Sequence, residues 1–364
     1  MIIRKFLNPF YILTIFSCLY LTQILPVSPF YFGLFFTLCA TLICFSIRPR
    51  VILLKIKKKY IPLIIHCIVI SVYVFFNAVI NSCGLKYPIL QLLSMLFLVL
   101  SFILPTNNKD FIKKTFYHLI TIVIVLLSIE FVYRITHPKT FDWATEVGNF
   151  FYIYKFSSIM FSDSNETAFF ILIFISLLLY FNDTKFVFIS KKKFLLFFIF
   201  LVGTFSRAAV FAFLVLLFYN FIFKRLNIFI KILLLFFSFF LFTYVLMIFS
   251  KDGSFLTKID IFLRTINYLK YVSIRDFFIG VGINNSIDAL GFYGHNYISL
   301  YLVEYGFIGL LLLLTLFIHI FYLCPKTYFL LVPYLVAGLS FAPYFVPYFY
   351  FFIGIIIHLE EINK

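Results

Sequence analysis

The sequence predicts an all-α, polytopic integral membrane protein, and three observations lead to that class. Hydrophobic residues make up 64% of the 364-residue chain, charged residues only 12%, and the mean hydropathy is +1.09. Apolar runs long enough to cross a bilayer recur along the whole length. The basic residues lie mostly in short tracts between those runs. Because soluble domains carry about 25% charged residues, we expect residues 1–364 to form a single transmembrane domain.

We predict about twelve transmembrane helices, with both termini in the cytoplasm. The apolar runs lie at residues 9–25, 29–47, 61–80, 88–104, 117–133, 166–181, 190–205, 207–223, 232–249, 297–320, 327–341 and 344–358. The basic tracts lie at residues 4–5, 48–59, 109–114, 185–193, 224–231 and at Lys326. With twelve spans, every tract falls on the cytoplasmic side, as the positive-inside rule requires. This placement accounts for the net charge of +16 without a nucleic-acid partner.

Two long periplasmic loops are predicted, at about residues 134–165 and 250–296. Membrane connections are usually short, so long ones are either functional or disordered. Both loops mix aromatic residues with charges and glycines. In the second loop, the apolar positions 259, 262, 263 and 266 have helical spacing, which predicts a helix on the membrane surface. We therefore expect both loops to be ordered and to carry function.

Several charges depart from the positive-inside pattern. Arg207 lies between two apolar runs with almost no connecting loop. It could reach the outer interface or face a cavity and hold an anion, since an arginine at the membrane centre costs about 2.5–3.5 kcal/mol. Arg264 could belong to a solvated helix face or bind an anion. Arg275 fits a plain interfacial charge, and Glu130, within the fifth run, could be a buried structural partner.

The most informative segment is the glycine-punctuated loop at residues 280–309, GVGINNSIDALGFYGHNYISLYLVEYGFIG. It places His295 and Asn296 at the mouth of an apolar run, with Glu304 about two and a half helical turns further on. A titratable group where water meets the bilayer indicates function. Four of the other five histidines suit isolated interfacial or core positions. The six cysteines have no CxxC spacing, so neither a disulfide framework nor a metal site is expected.

Four elements, in this order, resemble the O-antigen ligase and polymerase superfamily over roughly residues 160–310. Residues 163–165 (DSN) resemble its N-P-N-x-x-A element, although Ser164 replaces the usual proline. Residues 204–207 (TFSR) are similar to its T-x-S-R element, and Arg264 matches an arginine upstream of G-x-G. The G-x-G, H-N and E-x-G-x-x-G pattern that follows is matched by Gly280, Gly282, His295, Asn296, Glu304, Gly306 and Gly309.

The resemblance implies a metal-independent glycosyltransferase of GT-C-like architecture, without a cofactor, in the bacterial inner membrane. Its active site would face the periplasm and take a glycan from undecaprenyl diphosphate. No Asp-x-Asp pair occurs in the outer loops, which agrees with a metal-free site. Arg207 and Arg264 would bind the diphosphate, because guanidinium is permanently charged and bidentate toward phosphate. His295, and after it Glu304, would activate or orient the acceptor hydroxyl. The supporting residues would be Asn165, Ser206, Gly280, Gly282 and Asn296.

Three functions stay open at this point. A polymerase joins the growing glycan to another repeat unit, so the undecaprenyl-diphosphate-linked oligosaccharide is both donor and acceptor. A ligase instead places the glycan on lipid A–core. By the habit of the superfamily that the chain resembles, the short length and the high Phe, Tyr and Ile content favour the polymerase. A flippase would need charged groups at mid-bilayer depth, whereas the polar residues here are concentrated in outer loops. Membrane lipids and a chain-length regulator are the other candidate partners.

Overall fold

The computed structural model describes residues 8–47, 58–104, 108–139, 157–231, 253–341 and 346–363, together with Tyr154 and Leu233. Every regular element in these ranges is a helix. The α-helices are α1 Pro9–Phe16, α2 Pro29–Ile47, α3 Ile61–Ile80, α4 Lys86–Ile103, α5 Lys109–Thr136, α6 Ser164–Asp183, α7 Lys191–Gly203, α8 Arg207–Phe221, α9 Gly253–Tyr271, α10 Ile274–Ile279, α11 Ser286–Leu290, α12 Tyr297–Glu304, α13 Gly306–Leu323, α14 Tyr328–Gly338 and α15 Pro347–Ile362. Short 3-10 turns lie at Lys58–Tyr60, Phe223–Arg225 and Pro325–Thr327.

Within the described ranges, five helical segments are long and apolar enough to cross a membrane. They are Lys58–Ile80, Lys109–Thr136, Ser164–Asp183, Arg207–Arg225 and Gly306–Leu323. The shorter stretches Pro29–Ile43 and Lys86–Phe102 are also apolar helices. The prediction of an all-α chain with membrane-spanning helices agrees with this architecture.

α6 and α15 form the centre of the bundle. Nearly all side chains of α6 are buried, and α15 is buried along most of its length. α6 packs against α7, α8 and α14, while α15 packs along α4. Gly354 permits that close approach, since a Cβ there would lie 1.5 Å from the Ser101 hydroxyl oxygen. A helix that is apolar all round is expected in the interior of such a bundle.

The surrounding helices turn apolar side chains outward. Phe35, Val72, Val132, Phe211 and Ile318, from α2, α3, α5, α8 and α13, are all more than 60% exposed. Exposure of so large an apolar surface to water is unfavourable, whereas lipid tails would solvate it. The outer faces of the bundle are therefore those of a membrane protein.

The helix boundaries differ from the predicted spans in several places. The run at 9–25 contains only α1, whose eight residues give a rise of about 12 Å. The run at 297–320 is divided at Tyr305 into α12 and α13, because Gly306 has a φ of +66°. The run at 232–249 lies outside the described residues except for Leu233.

The second predicted loop is mostly helical. It contains α9, α10 and α11, and α9 confirms the helix expected around positions 259–266. Ile259, Phe262, Leu263 and Ile266 all lie exposed on one side of it. The first predicted loop begins later than residue 134, because α5 continues to Thr136, and most of residues 140–156 lie outside the described part.

Glu130 is a buried structural partner, as the sequence indicates. Its carboxylate Oε1 lies 2.6 Å from Arg134 Nε, and its Oε2 accepts the Ile159 N–H at 2.8 Å. Arg134 Nη2 also donates to Thr167 Oγ1 at 2.9 Å, which joins α5 to α6. Both charged side chains are almost completely buried. The pair fixes the end of α5 against the segment that leads into α6.

Candidate functional site

The two glycine motifs of the predicted site form one backbone crossing. Gly280 and Gly306 have positive φ angles of +86° and +66°, which favour glycine. A Cβ on Gly280 would lie 2.4 Å from the Glu304 carbonyl oxygen, and one on Gly306 would lie 2.4 Å from the Phe278 carbonyl oxygen. The chain after α10 therefore passes in direct contact with the break between α12 and α13. We call this contact the glycine crossing.

The crossing satisfies backbone groups that the end of α12 leaves free. The Val281 N–H donates to the Val303 carbonyl at 2.9 Å, and the Gly282 N–H donates to the Glu304 carbonyl at 3.1 Å. The last carbonyls of a helix need such partners, especially where water is scarce. The G-x-G and E-x-G elements thus act as one structural unit, although more than twenty residues separate them in the sequence.

Polar residues on α3 and at its C-terminal cap support the crossing, and they are absent from the predicted site. Tyr73 donates its hydroxyl hydrogen to the Tyr305 carbonyl. Asn77 Nδ2 donates to the carbonyls of Ile279 at 2.6 Å and Glu304 at 3.1 Å. Asn81 Nδ2 donates to the Gly280 carbonyl at 3.2 Å. The signal in the sequence is spacing, because residues 73, 77 and 81 recur every four positions on one face of an apolar helix.

Glu304 braces the loop that precedes His295. Its side chain is fully buried, and its Oε1 accepts the Ser286 N–H at 3.3 Å. Ser286 Oγ in turn accepts the Gly294 N–H at 3.3 Å. Glu304 therefore takes part in the crossing through its backbone carbonyl, while its carboxylate lies inside the protein and is connected through Ser286 to Gly294, the residue before His295.

His295 lies at the junction between this loop and α12. Its half-buried ring lies 5.2 Å from the Tyr293 ring at an interplanar angle of 76°. The following Asn296 caps α12, because its Oδ1 accepts the Ser299 N–H at 2.8 Å. Ser299 Oγ accepts a hydrogen bond from Thr265 Oγ1 of α9 at 2.9 Å. The cap and this contact hold the start of α12 against α9.

Arg264 reaches from α9 to the same loop. Its Nε lies 2.9 Å from Asp260 Oδ2, and its Nη1 donates to the Leu290 carbonyl at 3.1 Å. The guanidinium carbon lies 4.6 Å from the centre of the Phe292 ring, a cation–π contact. Phe292 precedes His295 by three residues, so the structure brings Arg264 and the His295 loop together. The Arg264 side chain is 44% exposed and remains accessible to a ligand.

An open cleft of about 490 Å³ lies beside Arg264. Its walls come from α9, α10, α11 and the turn between α9 and α10: Arg264, Asn267, Tyr268, Tyr271, Val272, Ser273, Asp276, Ala289 and Leu290. The predicted residues Arg207, His295 and Glu304 are not among these lining residues. The cleft therefore adjoins the candidate site through Arg264.

The two motifs that precede α9, residues 163–165 and 204–207, are also in contact. Ser206 Oγ donates to Asn165 Oδ1 at 3.0 Å, and Asn165 Nδ2 donates to Asp163 Oδ2 at 3.0 Å. Ser206 precedes α8, so this contact fixes the start of α8 against the start of α6. Arg207 is the first residue of α8 and is exposed. That position suits both interpretations of Arg207, an interfacial cation and an anion ligand.

Among the described residues, no group of three or more His, Cys, Asp or Glu side chains could hold a metal ion. No protein-family model matches the chain, and no curated protein matches it significantly. A functional assignment therefore depends on the residues of the site and on their chemistry.

Proposed function

We propose that the protein is an O-antigen polymerase of the bacterial inner membrane. It would transfer a growing glycan from undecaprenyl diphosphate onto another lipid-linked repeat unit at the periplasmic face. The observation that carries the proposal is the contact of Arg264 with the segment that ends in His295. A permanent cation can stabilise the diphosphate leaving group, and an imidazole can accept the proton of the attacking hydroxyl, so the two groups together suit transfer from a diphosphate.

The arginines would stabilise the leaving group. As the anomeric carbon–oxygen bond breaks, its electron pair goes to the diphosphate, where negative charge develops. A guanidinium donates two parallel N–H bonds to such oxygens and needs no metal to do so. Arg264, which is accessible and oriented by Asp260 and Phe292, suits this role. We assign Arg207 the same role from its motif and its exposed position at the start of α8.

His295 would act on the acceptor. The acceptor hydroxyl oxygen forms the new bond to the anomeric carbon, and its proton passes to the neutral imidazole. Glu304 is fully buried and bonded to the Ser286 backbone, so we propose it as the residue that positions the His295 loop. Gly280, Gly282 and Asn296 support the same loop through the glycine crossing and the cap of α12.

The apolar side of α9 supports a site at the membrane surface. Leu256, Ile259, Phe262, Leu263 and Ile266 are exposed on one side of this helix. An amphipathic helix of this kind lies in the interface with its apolar side in the lipid. Arg264 would then stand at the level of the lipid headgroups, which is where the diphosphate of a polyprenyl carrier lies.

In the proposed twelve-span topology, with both termini in the cytoplasm, two basic tracts and the C-terminal helix lie on the same side of the membrane, and two ion pairs support that placement. Lys59 Nζ lies 2.7 Å from Glu361 Oε1, and Lys326 Nζ lies 3.1 Å from Glu360 Oε2. Two basic tracts predicted to be cytoplasmic thus meet the C-terminal helix. Their proximity is what an even number of spans between them and the C-terminus requires.

The phenotype of a deletion strain tests the proposal against its alternatives. Loss of a polymerase leaves single repeat units on lipid A–core, which a gel of the lipopolysaccharide would show as one band above the core. Loss of a ligase instead strands long chains on the carrier lipid, and loss of a flippase leaves no repeat unit on the core. Complementation with Arg264→Ala should leave the single-unit band.

A further inference from the structure

The cleft beside Arg264 contains several polar groups to which neither the motifs nor the proposed chemistry gives a role. α9 has three distinct sides. Ile261 and Thr265 are buried against the protein, while the apolar side described above is exposed. The third side carries Arg264, Asn267, Tyr268 and Tyr271 and forms one wall of the cleft. The wall is therefore a polar surface directly beside a surface suited to lipid.

Apart from Arg264, the lining favours an uncharged ligand. Arg275 lies 3.7 Å from the carboxylate of the lining residue Asp276, and Asp260 orients Arg264 at 2.9 Å. Arg264 is therefore the charged group of the lining at which a diphosphate would bind. The other polar lining groups are an amide, hydroxyls and two aromatic rings, which donate and accept hydrogen bonds or offer a flat apolar face.

One of these groups lacks a partner. The Tyr268 hydroxyl is buried, yet it makes no hydrogen bond within the described part of the chain. Burial, and next the charge of Asp276, raise the pKa of Tyr268 to about 12, so the hydroxyl stays protonated at physiological pH. A buried donor is normally satisfied by a protein group, by water or by a ligand. Tyr271, three residues further along the same helix, is 88% exposed, so its ring can contact a ligand in the cleft.

We propose that this cleft binds a sugar ring of the lipid-linked substrate, held by Asn267, Tyr268 and Asp276 and covered by Tyr271. Hydroxyl-rich, uncharged pyranose rings match the neutral donors and acceptors of the lining, and a volume of about 490 Å³ is within the range of small-molecule sites. This inference rests on the proposed function, because it makes the cleft the saccharide subsite next to the diphosphate ligand Arg264.

Binding of a released saccharide tests the inference directly. The probe is the reducing oligosaccharide that mild acid releases from the lipid-linked pool of the cell, with inorganic pyrophosphate as a second probe. Saturation-transfer NMR on the purified protein should show binding of the oligosaccharide. Asn267→Ala and Tyr268→Phe should each weaken it about tenfold or more and leave pyrophosphate binding unchanged.

Tyr322→Phe is the matched control, because Tyr322 is 83% exposed near the end of α13 and its variant also loses one hydroxyl. Equal oligosaccharide binding by Tyr268→Phe and Tyr322→Phe would overturn the inference, as would parallel weakening of pyrophosphate. If the wild type forms polymer but Asn267→Ala and Tyr268→Phe bind the oligosaccharide as tightly as the wild type does, the sugar site is refuted and the polymerase is retained. Conversely, cleft-dependent binding without polymer formation refutes the polymerase and retains the sugar site.

Discussion

Replacing Gly306 by alanine should disrupt the glycine crossing and, with it, the position of the His295 loop. Gly306 has a φ of +66°, and a left-handed conformation costs a residue with a Cβ about 1–2 kcal/mol. The new Cβ would also lie 2.4 Å from the carbonyl carbon and oxygen of Phe278. Those atoms belong to the backbone, so relief requires moving the chain, at a further cost of about 1–3 kcal/mol. We expect a total loss of about 2–5 kcal/mol.

Thermal unfolding of the purified protein in detergent measures this effect. Gly84→Ala is the matched control, because a Cβ at Gly84 meets nothing within 4 Å. Gly306→Ala should lower the melting temperature by several degrees and reduce polymer formation, whereas Gly84→Ala should leave both unchanged. If the two variants melt and function alike, the packing of the crossing described here is wrong.

Further predictions concern the charged residues. Arg207→Ala and Arg264→Ala should abolish polymer formation while the protein still accumulates in the membrane. Arg264→Lys should also form little polymer, because an ammonium group cannot donate the two parallel hydrogen bonds of a guanidinium. Full activity of the lysine variant would exclude recognition of the diphosphate by guanidinium. His295→Ala should slow transfer by about 10²–10⁴-fold, and wild-type activity should fall in acid as the imidazole becomes protonated; an unaltered rate would remove His295 from the chemistry. Glu130→Gln should destabilise the fold by about 3–5 kcal/mol, because it leaves Arg134 as an uncompensated buried charge; a melting temperature equal to that of the wild type would contradict this.

Local patterns in the sequence predict much of the fold. The apolar runs predict the long helices, and the spacing at positions 259–266 predicts α9, which the structure confirms. The run at 297–320 misled the prediction because hydropathy does not register one glycine with a positive φ angle. Gly306 ends α12 and begins α13 within a continuous apolar sequence.

The candidate site was only partly predictable. The motifs indicate Arg264, His295 and Glu304, but they do not show that Glu304 is fully buried or that Arg264 lies over Phe292. The contacts of Asn77 with the crossing join residues more than 200 positions apart. No local periodicity contains such pairings, because they arise only when α3 packs beside the glycine crossing.

Reconstituted polymerisation tests the central proposal most directly. The purified protein is placed in liposomes with undecaprenyl-diphosphate-linked repeat units, without metal ions and without lipid A–core, and the products are separated on a gel. We predict a ladder of longer glycans still attached to the carrier lipid, and its loss in Arg264→Ala. A product limited to single units, or growth that appears only when lipid A–core is supplied, would contradict the polymerase.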